Sequence, residues 1–218
     1  LVTIKADWQA SARFWSATNY FVCNISDSIL EGYNPDGVTG YHSYPDNTIW
    51  SPDYAHRNEI SNFAFYLNQF SGSLITATNY GYQGSKTVDL LSREGSYVTN
   101  SNCKYCVFSC GYNDVNLGSD APTTWASILP NLNQIYANLT AKGIAMIVEE
   151  IPPAASSDAK SAVLRAINAD YQTWCLTNVN TYFLASHDDM GRLRASTGFL
   201  DDYKAGYSFD TVHLTPTG

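Results

Sequence analysis

The sequence predicts an α/β protein built on a parallel sheet with helices on its two faces. Three observations carry that reading. Short apolar runs of strand length alternate with longer segments of helical spacing, the runs end in Gly, Ser, Asn or Asp, and 218 residues are enough for one domain with its own core. In such open sheets a ligand sits beyond the carboxyl ends of the strands, so the residues that follow each strand are the ones to inspect.

Taken in order, Trp8, Ala12 and Trp15 fall at i, i+4 and i+7 with Phe14 beside them, which predicts a helix over residues 6–18 packed on the sheet. Residues 20–24 read as a buried strand feeding the turn that ends at Gly32. Residues 33–57 are polar and aromatic with three Pro and no period, which predicts an irregular loop. Ile60, Phe63, Ala64 and Leu67 predict a helix over 58–70, followed by a strand over 74–79 and a helix over 85–93. A strand is expected over 106–109, ending at Gly111. The helix after it, 124–141, carries Trp125, Ile128, Leu132, Ile135 and Leu139 on one face, with Pro130 expected to kink or split it. Gly143 caps that helix, 144–149 is a strand closed by Pro152 and Pro153, 158–175 is a helix bearing Val163, Ile167 and Tyr171, and 181–185 is a strand.

Composition removes several functions. Twelve Lys and Arg against twenty Asp and Glu give a net charge of −8, which offers no attraction to a phosphate backbone or an anionic membrane. No run reaches the length of a membrane span. The sequence starts at Leu1 without a basic-then-apolar leader, as in a processed mature protein or an excised domain. The compartment stays open, with an extracellular location favoured over a cytoplasmic one, and the oligomeric state stays open too. Five Cys leave at least one thiol without a partner in the chain. Asn24-Ile25-Ser26 and Asn138-Leu139-Thr140 are glycosylation sequons by pattern.

The strand ends hold a specific set of groups. Ser26-Asp27-Ser28 follows the first strand, Gly81 to Gly84 the second, Gly111-Tyr112-Asn113-Asp114 the third, and Asp210-Thr211-Val212-His213 lies near the C-terminus. A serine, candidate oxyanion donors, and an Asp and His three apart are what acyl transfer through an activated serine needs.

The same segments carry a resemblance. Ile25-Ser26-Asp27-Ser28-Ile29-Leu30-Glu31-Gly32 resembles the first block of the SGNH, or GDSL, hydrolases. Asn79-Tyr80-Gly81-Tyr82-Gln83-Gly84-Ser85 resembles the second, Gly111-Tyr112-Asn113-Asp114 the third, and Asp210-Thr211-Val212-His213-Leu214 the fifth, in the family's order from Ile25 to His213. The resemblance implies a three-layer α/β/α sandwich of flavodoxin-like order, a single domain over 1–218 in which the family's final helix is absent, so that either the chain is cut short or another element covers that face, and a serine ester hydrolase that needs neither metal nor cofactor. It implies Ser28 as nucleophile, His213 as base, Asp210 as the carboxylate on the imidazole, and an oxyanion hole from the N–H groups of Ser28 and Gly84 and the side chain of Asn113. One such donor contributes roughly 3 to 4 kcal/mol to the transition state. Where the family's first block opens on glycine this chain has Ser26, whose Cβ requires a negative φ at that point.

Tyr41, Tyr44, Trp50 and Tyr54 beside Asn and Asp suit a carbohydrate, which favours an O-acylated sugar as the substrate and Trp50, Tyr44 and Tyr54 as the residues that hold it. A lipid or short-chain aliphatic ester is the alternative substrate, and an inactive glycan-binding module the alternative of another class. Rival readings of single features stand beside these. Ser28 would serve as a helix N-cap, and His187 with Asp188 and Asp189 forms a second possible triad or metal site. Cys106 and Cys110, on one strand, are about 13 Å apart and too far to share an ion, so with Cys103 they read as buried core residues. Asp114, Asn116, Gly118 and Asp120 echo a calcium loop without its glycine position or closing Glu.

Overall fold

The structure, a computed structural model, describes residues 20–27, 75–81, 84–99, 102–115, 120–152 and 158–185. Within them lie strands β1 (Tyr20–Ser26), β2 (Ile75–Asn79), β3 (Tyr105–Ser109), β4 (Ala145–Glu149) and β5 (Thr181–Leu184). Helices α1 (Thr87–Tyr97), α2 (Ala121–Ala141) and α3 (Asp158–Thr177) alternate with the later strands. The five strands form one all-parallel sheet in the order β2-β1-β3-β4-β5. This is the flavodoxin-like doubly wound order, whose direction of winding reverses between β1 and β3. The expected α/β sheet is therefore present, and its switch point falls where Asp27 and the segment from Gly111 to Asp114 emerge.

Side chains alternate along each strand, so the register Cys23↔Cys106↔Met146 and Ile25↔Phe108↔Val148 lines one face with apolar residues. The crossovers through α1, α2 and α3 all run toward β5, and right-handed connections put all three helices on that face. One core joins them: Leu90 of α1, Ile128, Leu132, Ile135 and Leu139 of α2, and Leu164, Ile167 and Tyr171 of α3 are buried with Ile25, Phe108 and Val148. Each such Leu or Ile contributes about 1.5 to 3 kcal/mol by leaving water. On the opposite face Val22 and Val107 are buried as well, as a parallel sheet layered on both sides requires.

Two helix boundaries lie three or more residues from the expectation, and for local reasons. α2 starts at Ala121, three residues early, because Asp120 caps it by accepting the Thr123 N–H at 2.7 Å and a proline follows in its first turn. Pro130 lies inside this helix without splitting it, carried by the buried stripe on either side. α1 runs to Tyr97, past Gly95, because Glu94 and Val98 on its inner side are both fully buried. The expected helices over 6–18 and 58–70 lie outside the described residues.

Cys23 and Cys103 form a disulfide across a Cα–Cα distance of 5.9 Å, joining β1 to the segment that leads into β3. The remaining thiols, Cys106, Cys110 and Cys175, are free and buried, and burial pushes all three up, Cys175 to about 11. They are protonated at neutral pH and act as small core residues, as expected for Cys106 and Cys110, whereas Cys103 is a cross-link.

Glu94 is the unusual member of this core. Its Oε2 accepts from Asn138 Nδ2 at 2.9 Å, but Oε1 has no hydrogen-bond partner among the described residues. Burial raises its pKa, and the side chains of Asn138 and, more weakly, Thr99 offset only part of that. A carboxyl raised in the folded state stabilises below its unfolded value, and that contribution is lost as pH rises through the folded value. Glu94→Gln, which keeps an acceptor for Asn138 and removes the charge, is therefore expected to raise the melting temperature at pH 7 by a few degrees, about 1 kcal/mol. The gain should vanish in melts taken below pH 4.

Candidate active site

The carboxyl ends of β1, β2 and β3 are tied together by polar groups that a plain apolar core would not contain. Asn24, 3% exposed in the middle strand, accepts the Tyr80 N–H with Oδ1 at 2.8 Å and reaches Ser26 Oγ with Nδ2 at 3.4 Å. The Asp27 N–H donates to Ser109 O at 3.2 Å, so β1 and β3 stay joined one residue beyond the strand. Ser26 itself is the last residue of β1, and its φ is not positive. The serine in place of the family's first glycine therefore sits in ordinary extended backbone. Asp27 is buried, and Ser28 follows it in sequence. Ser28, Asp210 and His213 lie outside the described residues, as do Tyr44, Trp50, Tyr54 and the rival His187, Asp188 and Asp189.

Both remaining oxyanion candidates are described, and the structure brings them to one place. Gly84 has φ +71, and a Cβ there would meet nothing within 4 Å. The left-handed backbone calls for glycine there, and no described residue crowds the position. Asn113 donates from Nδ2 to the carbonyl oxygen of Ser85 at 3.1 Å, which links the third block to the residue beside Gly84.

The loop that presents Asn113 is held from several sides. Gly111 has φ +129, and a Cβ on it would come within 2.5 Å of Ile151 Cδ1 and 3.2 Å of the Tyr171 hydroxyl. Tyr171 in turn donates to the Cys110 carbonyl at 2.9 Å, while Asn168 pairs with the backbone of Ile151 through bonds of 2.8 and 2.9 Å. Asp114 closes the loop onto the start of α1. Its carboxylate accepts the Thr87 N–H at 3.1 Å and the Thr87 hydroxyl at 2.8 Å, satisfying a donor that the first turn of the helix leaves unpaired. Asn131 of α2 adds a bond to the same hydroxyl at 3.1 Å. Burial raises the Asp114 pKa against these bonds. The fourth residue of Gly-Tyr-Asn-Asp thus works as a staple between this loop and α1. Residues 116–119 of the calcium-loop echo lie outside the described residues, and no group of three metal-ligating side chains occurs among the described ones.

Sequence reasoning passed over Lys160. From the first turn of α3 its Nζ stands 3.7 Å from the centroid of the Tyr112 ring, next to Asn113. Burial lowers its pKa while the Asp27 carboxylate acts in the opposite sense, so a cation, a buried carboxylate and an aromatic face meet at the switch point. A lone Lys in a helical pattern gives no signal for this, because the contact depends on where α3 begins relative to β3.

Comparison with known proteins follows the same segments. The profile of the GDSL-like lipase/acylhydrolase family matches residues 27–218. Among solved structures, the chain resembles a GDSL-like lipase from Bacteroides thetaiotaomicron, with TM-score 0.62 and 16% identity over 97% of this chain and 89% of that one. It resembles a lipase/acylhydrolase from Enterococcus faecalis, with TM-score 0.64 and 16% identity over 91% and 89% of the two chains. A catalytic mutant of an acetylxylan esterase from Geobacillus stearothermophilus gives TM-score 0.64 and 16% identity over 93% and 90%. At these identities the likeness is one of fold. No curated protein sequence matches the chain.

Proposed function

The chain belongs to the GDSL-like lipase/acylhydrolase family and is an ester hydrolase, and on that premise we propose that it removes acetyl or other short acyl groups from carbohydrate through Ser28, His213 and Asp210. The observation that carries the catalytic part is the union of Gly84 and Asn113 through Ser85 at the switch point, beside the end of β1 from which Ser28 follows. In this reading His213 takes the Ser28 proton as the hydroxyl attacks the ester carbonyl, and Asp210 holds the imidazole tautomer and stabilises the imidazolium. The N–H groups of Ser28 and Gly84 and the Asn113 amide meet the oxyanion without bringing a charge into the site. The alcohol leaves with the proton from His213, and water then attacks the acyl-enzyme with His213 again as base. No step calls on a metal or an organic cofactor.

The carbohydrate part rests on the sequence of residues 41–57, a segment rich in Tyr, Trp and His that is expected to be a long connection. A neighbour in fold described as an acetylxylan esterase is consistent with it. The Cys23–Cys103 disulfide supports a location outside the reducing cytoplasm. Trp50→Ala tests the substrate class. A stacking role predicts at least a tenfold loss of kcat/KM on an acetylated xylooligosaccharide with p-nitrophenyl acetate turnover preserved, because only the sugar uses the ring face. Equal losses on both substrates with a lowered melting temperature would make Trp50 a packing residue, and a preference for long-chain acyl esters would point to lipids instead.

A further inference from the structure

Arg93 of α1 reaches back along its own helix. Its Nε donates to the Asp89 carbonyl at 3.2 Å and its Nη2 donates to the hydroxyl of Ser85. Ser85 is 2% exposed, and its carbonyl accepts the Asn113 side chain at 3.1 Å and lies 3.6 Å from the Cys110 thiol. We propose that Arg93 is a positioning residue of the oxyanion hole: by fixing Ser85 it fixes both Gly84, joined to Ser85 by a peptide bond, and the Asn113 amide held on the Ser85 carbonyl. The proposal rests on Gly84 and Asn113 being the oxyanion donors.

Gly84 is exposed and sits in left-handed backbone, and among the described residues no atom lies within 4 Å of where its side chain would be, so none of them sets the direction of its N–H by packing. Its one buried neighbour in the described chain is Ser85. Asn113 has two N–H bonds on one planar nitrogen, and donating the first to Ser85 O fixes the plane and aims the second. Donors aimed in advance need no reorganisation as the oxyanion forms, which is the source of their effect. A planar guanidinium bonds the Asp89 carbonyl and the Ser85 hydroxyl from two separate nitrogens held in a rigid fork, whereas the three donors of a lysine ammonium all radiate from one nitrogen on a flexible stem. The Arg93 charge also reaches the buried end of β3, where it acts against the rise of the Cys110 thiol.

The experiment is a double-mutant cycle on p-nitrophenyl acetate, with kcat and KM measured for Arg93→Met, Arg93→Lys, Ser85→Ala and Asn113→Ala, and for each of the first three combined with the last. Arg93→Met and Ser85→Ala are expected to lower kcat about tenfold with KM within twofold, since a misaimed donor affects the transition state and not the ground state. Arg93→Lys should recover part of the loss. With Asn113→Ala present, itself about a hundredfold down, the Arg93 and Ser85 changes should cost under threefold, because they act through a group already removed. The same tenfold loss in that background, or a raised KM at unchanged kcat, overturns the proposal and leaves the oxyanion reading standing. An Asn113→Ala enzyme with full turnover overturns both. Should Arg93→Met fail to give a cooperative melt, Ser85→Ala and Arg93→Lys decide the matter by the same cycle.

Discussion

Replacing Ser28 by alanine is expected to abolish ester hydrolysis, a fall of several orders of magnitude in kcat, with the melting temperature unchanged. The size follows from covalent catalysis: without the hydroxyl no acyl-enzyme forms, and what remains is the residual effect of the oxyanion donors and of binding. The unchanged stability follows from position. Among the described residues, hydrogen bonds of Asn24 and of the Asp27 backbone hold the end of β1, both before residue 28. The measurement is p-nitrophenyl acetate turnover beside labelling by a fluorophosphonate, which marks an activated serine. Turnover or labelling that survives the change would move the nucleophile elsewhere. A parent protein that neither turns over nor labels would make the chain a binding module on a hydrolase fold.

Asp210→Asn is expected to lower kcat by about four orders of magnitude, because an amide presents the wrong tautomer to the imidazole although it fits the same space. His213 would then hold its proton on the nitrogen that should face Ser28. Asp188→Asn and Asp189→Asn serve as the contrast, since they border the rival His187. If one of them shows the large loss and Asp210→Asn does not, His187 is the base and the fifth-block resemblance is accidental. A pH profile sharpens the comparison: the acid limb of kcat/KM should disappear with His213→Ala.

The parts of this protein that could be read from sequence are those fixed by local chemistry. The strand ends were legible because Asn79, Gly111 and Glu149 stand where apolar runs give way to turn formers or charge, and the structure ends β2, β3 and β4 within two residues of them. The parallel sheet followed from alternation alone. Asp120 with the proline behind it is a helix-start signal that the apolar period of Ile128, Leu132 and Ile135 does not contain, which is why that period alone starts α2 late. Contacts between distant segments left no such mark. Nothing in Gly-Tyr-Asn-Asp says that Asn113 will bond Ser85 while Asp114 bonds Thr87, because both depend on where α1 starts once it packs over β1 against α2. The Cys23–Cys103 pair is of the same kind: five cysteines allow many pairings, and only the neighbouring positions of β1 and β3 choose one.

The buried amide of Asn24 has a consequence for how the protein is made. Its side chain is locked between β1 and the first residue after β2, yet it belongs to an Asn-Ile-Ser acceptor triplet. In a cell that glycosylates proteins during translocation, the transferase meets residue 24 before residues 80 and 105 have emerged, while the triplet is still extended and accessible. A glycan added then cannot be accommodated at 3% exposure in the middle of a parallel sheet, and the chain that carries it cannot pair β1 with β2. Modification and folding therefore compete for the same side chain during synthesis. Material recovered in active form from such a host should be the fraction that escaped the transferase, and yield there will reflect the speed of strand pairing more than the stability of the finished fold.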